Sequence, residues 1–234
     1  MLPILIACHA RCEPPGYLCS YFDSRQVPYK KIHVDEQTLS AIKLSDLSGL
    51  ILMGGPHSVN DDHPWIVQEL ELIQQAVADD IPLMGVCFGA QMISKALGGQ
   101  VSEAPAMETG WHHILLDRKR LPEGLANKLP DSFEVFQWHE DTFSNPQHAI
   151  PVFSGSNIEN QGYLLGKVLT MQFHLEMTEH MVQEWLARYN DCLPMHILSV
   201  QSPLEITERL HQRLDNLHAI ADKIYDWWLG MVDR

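Results

Sequence analysis

The sequence predicts an α/β fold, with a central, mostly parallel sheet covered by helices on both faces and extra helices toward the C-terminal end. Two observations carry this. Short apolar runs alternate with helical patterns through residues 2–97, the layout of strand–crossover–strand units. The strand-like runs are apolar almost throughout rather than at every second position, as expected of strands buried on both faces.

Leu2–Cys8 is the first candidate strand, and Gly16–Gln26 the helix behind it. Tyr29–Val34 is a second strand, with the β-branched Ile32 and Val34. Leu50–Met53 is a third, ending at Gly54-Gly55-Pro56. Pro64 opens a helix whose face is Ile66, Leu70, Ile73 and Val77, at helical spacing. Pro82–Val86 is a fourth strand. Phe88–Leu97 reads as a helix stopped by Gly98-Gly99. From Val101 to Met171 the texture changes to strand-like runs between polar turns, among them Ile114–Leu116, Phe133–Gln137, Pro151–Ser154 and Val168–Phe173. Thr178 caps a helix striped with Met181, Val182, Trp185, Leu186 and Tyr189. Ser202-Pro203-Leu204-Glu205 is a capping-box pattern with proline at the first helical position. Behind it Leu210, Leu214, Leu217, Ala221, Ile224, Trp228 and Met231 recur at spacings of 4, 3, 4, 3, 4 and 3, a heptad-like seam. The seam is expected to pack on its own domain, with a homodimer contact as the alternative. The expected division is 1–180 as the main domain and 181–234 as a helical extension packed on it.

A formal charge of −14 argues against nucleic acid as a partner, because an acidic surface repels phosphates. No apolar run approaches the roughly 20 residues of a membrane span, and the first residues read as a strand rather than an export signal. Five cysteines, at 8, 12, 19, 87 and 192, then suggest free thiols in a reducing cytoplasm. Cys8, Cys12 and Cys19 beside His9 invite a metal reading, but the spacing lacks a paired C-x-x-C, and no metal is expected.

Chemistry concentrates in three places. Gly85-Val86-Cys87-Phe88-Gly89-Ala90-Gln91 follows an apolar strand and precedes a helix, the setting of a nucleophile elbow with cysteine at its tip. The helix N-terminus favours a thiolate there. In Met171-Gln172-Phe173-His174-Leu175-Glu176, an extended chain puts His174 and Glu176 on one side, so the carboxylate can orient the ring as base. Gly54 and Gly55 allow close backbone approach to a ligand. The amides of Gly55 and Phe88 would form an oxyanion hole.

A Gly-Gly-Pro loop, a G-V-C-F-G-A-Q elbow and a late Q-F-H-L-E segment, in that order, resemble the triad-type class I glutamine amidotransferases. The likeness spans about residues 2–180 and is nearest to the amidotransferase portion of GMP synthetases and their stand-alone relatives. It implies a flavodoxin-like amidotransferase fold and a triad of Cys87 as nucleophile, His174 as base and Glu176 as its orienter. It puts Gly55 and Phe88 at the oxyanion hole and makes Gln91 a substrate contact. Gln137-Trp138-His139-Glu140-Asp141 resembles the stretch that holds the glutamine backbone, making Trp138 and His139 substrate contacts; a small residue is usual where Glu140 falls, and His139 reads equally as a core histidine. The implied reaction is cysteinyl-thioester hydrolysis of L-glutamine, with ammonia passing to a separate synthetase and no cofactor. The alternatives are a hydrolase of γ-glutamyl compounds, its pocket shaped near Trp111 and Trp138, and a non-catalytic regulatory module.

Overall fold

The computed structural model describes residues 1–34, 39–189, 193–194 and 197–232; Cys192 lies outside them. In chain order the elements are β1 (Ile4–Cys8), α1 (Gly16–Ser24), β2 (Tyr29–His33), β3 (Gly49–Leu52), α2 (Pro64–Ala78), β4 (Leu83–Val86) and α3 (Phe88–Ala96). There follow β5 (Val101–Leu116), α4 (Glu123–Ala126), β6 (Ser132–Phe143), β7 (Ile150–Gly155), β8 (Asn160–Leu165) and β9 (Val168–Met171). Three helices end the series: α5 (Glu179–Tyr189), α6 (Pro203–Thr207) and α7 (Leu210–Val232).

All nine strands join one sheet in the order β2-β1-β3-β4-β9-β8-β7-β5-β6. From β2 to β9 the pairings are parallel, and from β9 to β6 they are antiparallel. The unbroken apolar runs now have their explanation. Ile4, Ile6 and Cys8 of β1 enter one core cluster, with Leu18, Tyr21 and Phe22 of α1 and the buried faces of α5 and α7. Leu5 and Ala7 enter the cluster on the opposite face, with Ile66 and Ile73 of α2 and much of α3. Successive side chains point to opposite faces, so a strand covered by helices on both sides must be apolar at every position.

Several boundaries differ from the sequence reading. The strand read at Ile114–Leu116 is the end of the 16-residue β5, whose register against β6 shifts between Glu103 and Glu108. Its first half is largely exposed or half-buried and therefore lacks an apolar signal. The last strand stops at Met171, so Phe173 and His174 lie just beyond it. The capping box at Ser202 forms as expected, with Ser202 accepting from the Glu205 amide and Glu205 from the Ser202 amide. The helix it starts ends at Thr207, however, and α7 begins afresh at Leu210, after Arg209 takes φ +53°.

The heptad-like seam faces inward. Leu210, Leu214, Leu217, Ala221, Ile224 and Trp228 are all buried within the single chain, and Trp228 Nε1 donates to the carbonyl of Leu83 at 3.0 Å. The seam is thus taken up by packing within its own chain. Among the described residues, no helix is long and apolar enough to cross a membrane.

Trp228 closes the sheet face over Gly49, where an added Cβ would lie 2.9 Å from the indole ring. Trp228→Ala should cost about 3–5 kcal/mol in urea unfolding, whereas Leu204→Ala, at an exposed position, should stay within about 0.5 kcal/mol. Equal effects at the two positions would contradict the packing described.

Candidate active site

Three parallel strands end side by side and deliver the groups singled out in the sequence. Gly54 and Gly55 follow β3, Cys87 follows β4, and His174 follows β9, which pairs with β4. Cys87 occupies the turn itself, at φ +49° and ψ −110°, directly before α3. The flanking glycines are a steric requirement. A Cβ on Gly85 would stand 2.8 Å from Cα of Ala90, and one on Gly89 would run into the carbonyl of Leu52. The turn is pinned by Cys87 N–H to Met171 O at 2.8 Å and Gly89 N–H to Met53 O at 3.1 Å. The amide of Phe88, in the first turn of α3, belongs to the group that no helical carbonyl can meet.

His174 is anchored by its own amide, which donates to Phe136 O at 2.9 Å. Its Nδ1 lies 2.7 Å from Glu176 Oε1, both side chains being buried. Its Nε2 is buried without a full hydrogen bond and has Cys87 as a close neighbour. Burial opposes charge on this ring, yet Glu176 and Cys87 outweigh it and hold the imidazole well above its ordinary pKa of 6.5. The sulfur itself points toward Trp138 O at 3.8 Å and receives Gln172 Nε2 at 3.6 Å. Thiol, imidazole and carboxylate in this order have the layout that nucleophilic acyl transfer uses.

Cys87 opens into a cleft of about 320 Å³, whose walls include Gly55, Gln91, Trp138 and His139. Gln91 lines it with its amide nitrogen already engaged, donating to Asp141 O at 3.0 Å; it ties α3 to β6. His139 answers both readings at once: it borders the cleft, yet it is buried and fastened, with Nδ1 to Asp141 O at 2.9 Å and Nε2 to Glu108 at 3.0 Å. Trp111 is not a pocket residue. It is buried in the core, with Nε1 donating to Ile206 O at 2.9 Å.

Sequence reasoning missed several neighbours. Gln172 was legible, since it alternates with His174 and Glu176 on one side of an extended segment. Glu13, Glu108, Trp185 and Tyr189 carried no local signal. His9 was noted only for its cysteine neighbours. Its Nε2 meets both carboxylate oxygens of buried Glu69 at 3.0 Å, and its Cβ lies 2.6 Å from where a Cβ on Gly55 would be. It therefore props the glycine loop from beneath. Cys8, Cys12 and Cys19 do not converge with His9; burial pushes the Cys8 thiol up to about 12. Among the described residues, the metal-competent group is the partly exposed His57, Asp61 and His63, whose ligand atoms lie within 4.8 Å of one another.

Burial raises the carboxyl of Glu108, but hydrogen bonds from His139, Asn157 and Gln161 prevail and hold it below its ordinary value of 4.5. A group depressed by folding stabilises the fold above its unfolded pKa and loses that contribution as pH falls through the folded value. Glu108→Gln should therefore lower Tm at neutral pH, and the gap from wild type should narrow as pH drops below 4.5. A gap that stays constant down to pH ~3 would contradict this linkage.

Residues 16–188 match the family model described as glutamine amidotransferase class-I. A glutamine amidotransferase from Methylobacillus flagellatus superposes with a TM-score of 0.93 at 33% identity, covering 99% of this chain and 95% of its own. One from Thermotoga maritima superposes with a TM-score of 0.87 at 26% identity, covering 100% and 99%. The glutamine-hydrolysing GMP synthase of Petrotoga mobilis is 32% identical over 143 residues, which is 58% of this chain and 26% of that protein. That of Spiroplasma kunkelii is 28% identical over 173 residues, 73% of this chain and 31% of that protein. The chain thus spans about a quarter to a third of the curated relatives it matches. With an elbow cysteine, a following histidine–carboxylate pair and this match over most of its length, the chain belongs to the class I glutamine amidotransferase family.

Proposed function

We propose that this chain hydrolyses the side-chain amide of L-glutamine through a thioester on Cys87. The observation that carries the reading is the buried line Cys87–His174–Glu176, with Cys87 opening into a cleft. Cys87 gives its proton to His174 and its sulfur bonds to the carbonyl carbon of the side-chain amide. The Gly55 and Phe88 amides stabilise the oxyanion. The C–N bond then breaks as His174 returns the proton to the departing nitrogen. Water, deprotonated by His174, releases glutamate. Glu176 keeps the ring in the orientation that serves both steps. Gly54, Gln91, Trp138 and His139 shape the substrate side of the cleft.

The relatives named as GMP synthases are three to four times longer than the matched portion. A synthetase that consumes the ammonia would be supplied from outside these 234 residues, and a cytoplasmic setting suits both the glutamine supply and a free thiol nucleophile. A second reading, hydrolysis of larger γ-glutamyl amides, is favoured by a cleft that continues from Cys87 along Trp138, Trp185 and Tyr189.

A diazo-ketone analogue of glutamine should label Cys87, and His174→Ala should lower glutamate release by roughly a thousandfold or more. Labelling chiefly at Cys12 or Cys19, or a wild-type rate in His174→Ala, would remove the triad assignment.

A further inference from the structure

Glu13 lies on the loop after β1 and forms part of the cleft wall, 8% exposed. Its Oε2 is 3.1 Å from the position a Cβ on Gly54 would take. The same point is 3.0 Å from Cε1 of His174 and 3.8 Å from Cβ of Cys87. The carboxyl, the imidazole and the Cys87 side chain thus border one point above Gly54, and Glu13 and His174 are close enough to interact electrostatically.

Little compensates this carboxyl. The ionisable groups facing it are His174, Glu176, His9 and Tyr189. Burial pushes its pKa up, His174 draws it down, Glu176 adds to the rise, and His9 and a hydrogen bond from Tyr189 offset only part; the net shift is upward. No lysine or arginine is among the described residues lining the cleft, whose other ionisable side chains include His57, His139, Glu140 and Asp141. A dry carboxyl in such company is stabilised by a cation that enters beside it. Three aromatic side chains, Trp138, Trp185 and Tyr189, line the same cleft. Trp138 meets Trp185 edge to face at 5.8 Å and lies 6.0 Å from Tyr189. A carboxylate flanked by aromatic rings is the chemistry that recognises an ammonium group.

We propose that Glu13, with Trp138, Trp185 and Tyr189, forms a leaving-group subsite selecting γ-glutamyl amides whose departing amine carries a further positive charge. The proposal rests on the Cys87–His174 reading above and adds the substrate class. Free glutamine leaves most of this subsite empty. A γ-glutamyl amino acid would bring its own carboxylate against Glu13, Glu140 and Asp141. The reaction consumes one water: the side-chain carbonyl carbon passes from nitrogen to sulfur to the oxygen of water, and the amine departs with the proton carried by His174.

The test compares glutamate release by the full chain from four substrates: L-glutamine, γ-glutamyl-propylamide, γ-glutamyl-(3-aminopropyl)amide and γ-glutamylglycine. The two alkyl amides differ in one terminal ammonium. The cationic one should exceed the neutral one roughly tenfold or more in kcat/KM, with γ-glutamylglycine lowest. In Glu13→Gln the cationic-to-neutral ratio should fall toward one, and Glu13→Asp should restore part of it. A wild-type ratio near one overturns the proposal without reference to any variant, and so does a ratio that survives in a folded Glu13→Gln. Release from all four substrates with no charge preference removes only the subsite. No release from any, together with an unlabelled Cys87, removes the thioester reading and the subsite with it.

Discussion

Cys87 sits at φ +49° and ψ −110°, a conformation that residues with a side chain seldom adopt, and the rest of the site is arranged around keeping it there. Such strain costs on the order of 1–3 kcal/mol and persists only where neighbours over-determine it. Here the strands on either side of β4 supply the restraints. Met171, at the end of β9, accepts the Cys87 amide, and Met53, just past β3, accepts the Gly89 amide. The same two strands lead into His174 and into Gly54-Gly55. The bonds that hold Cys87 in its turn therefore also set its distance to His174 and to the glycine loop. The site is a consequence of parallel adjacency: three strand ends, one beside the next, each followed by a loop at the same edge of the sheet.

Around this turn stand three buried histidine–carboxylate pairs: His9 with Glu69, His139 with Glu108, and His174 with Glu176. Each takes charge or strong dipoles out of water, which is costly unless geometry and extra hydrogen bonds compensate. They are placed where rigidity matters to the cleft. His9 supports the glycine loop and packs edge-on against Phe88 at 4.7 Å. His139 fastens β6 to Glu108 of β5. His174 joins β6 through the Phe136 carbonyl and rests edge-on against Trp185 at 5.1 Å. A chain rich in acids, at −14 overall, thus keeps several carboxyls inside, each facing an imidazole rather than a lysine or arginine. The cleft inherits that character. Its walls are acidic and aromatic, and its bases are imidazoles.

The parallel half of the fold was legible because its signals are local. Apolar runs of strand length, helix faces at 3.6-residue spacing, and glycines or prolines at the joints mark β1 to α3 with only short boundary errors. The capping box at Ser202 was legible for the same reason: both of its hydrogen bonds connect residues three apart. Legibility failed where the burial pattern fails. The first half of β5 runs half-exposed beside β6 and shows no periodicity. The break between α6 and α7 falls at Glu208 and Arg209, where neither glycine nor proline marks it.

The candidate triad, the elbow and the glycine loop could be read from the chain alone, because each depends on what a few consecutive residues can do sterically: a turn too tight for a Cβ, an alternation that puts two side chains on one side. Whether His139 was core or site, whether the terminal seam faced inward, and that Trp111 packs in the core while Trp138 borders the cleft were decided only by tertiary structure. Glu13 belongs with these. It lies 74 residues from Cys87 and 161 from His174 in the chain, and no local pattern distinguishes it from a solvated surface glutamate. Its burial beside the imidazole comes from the order of β1, β3, β4 and β9 across the sheet, and strand order is set by long-range packing that no short stretch of sequence encodes.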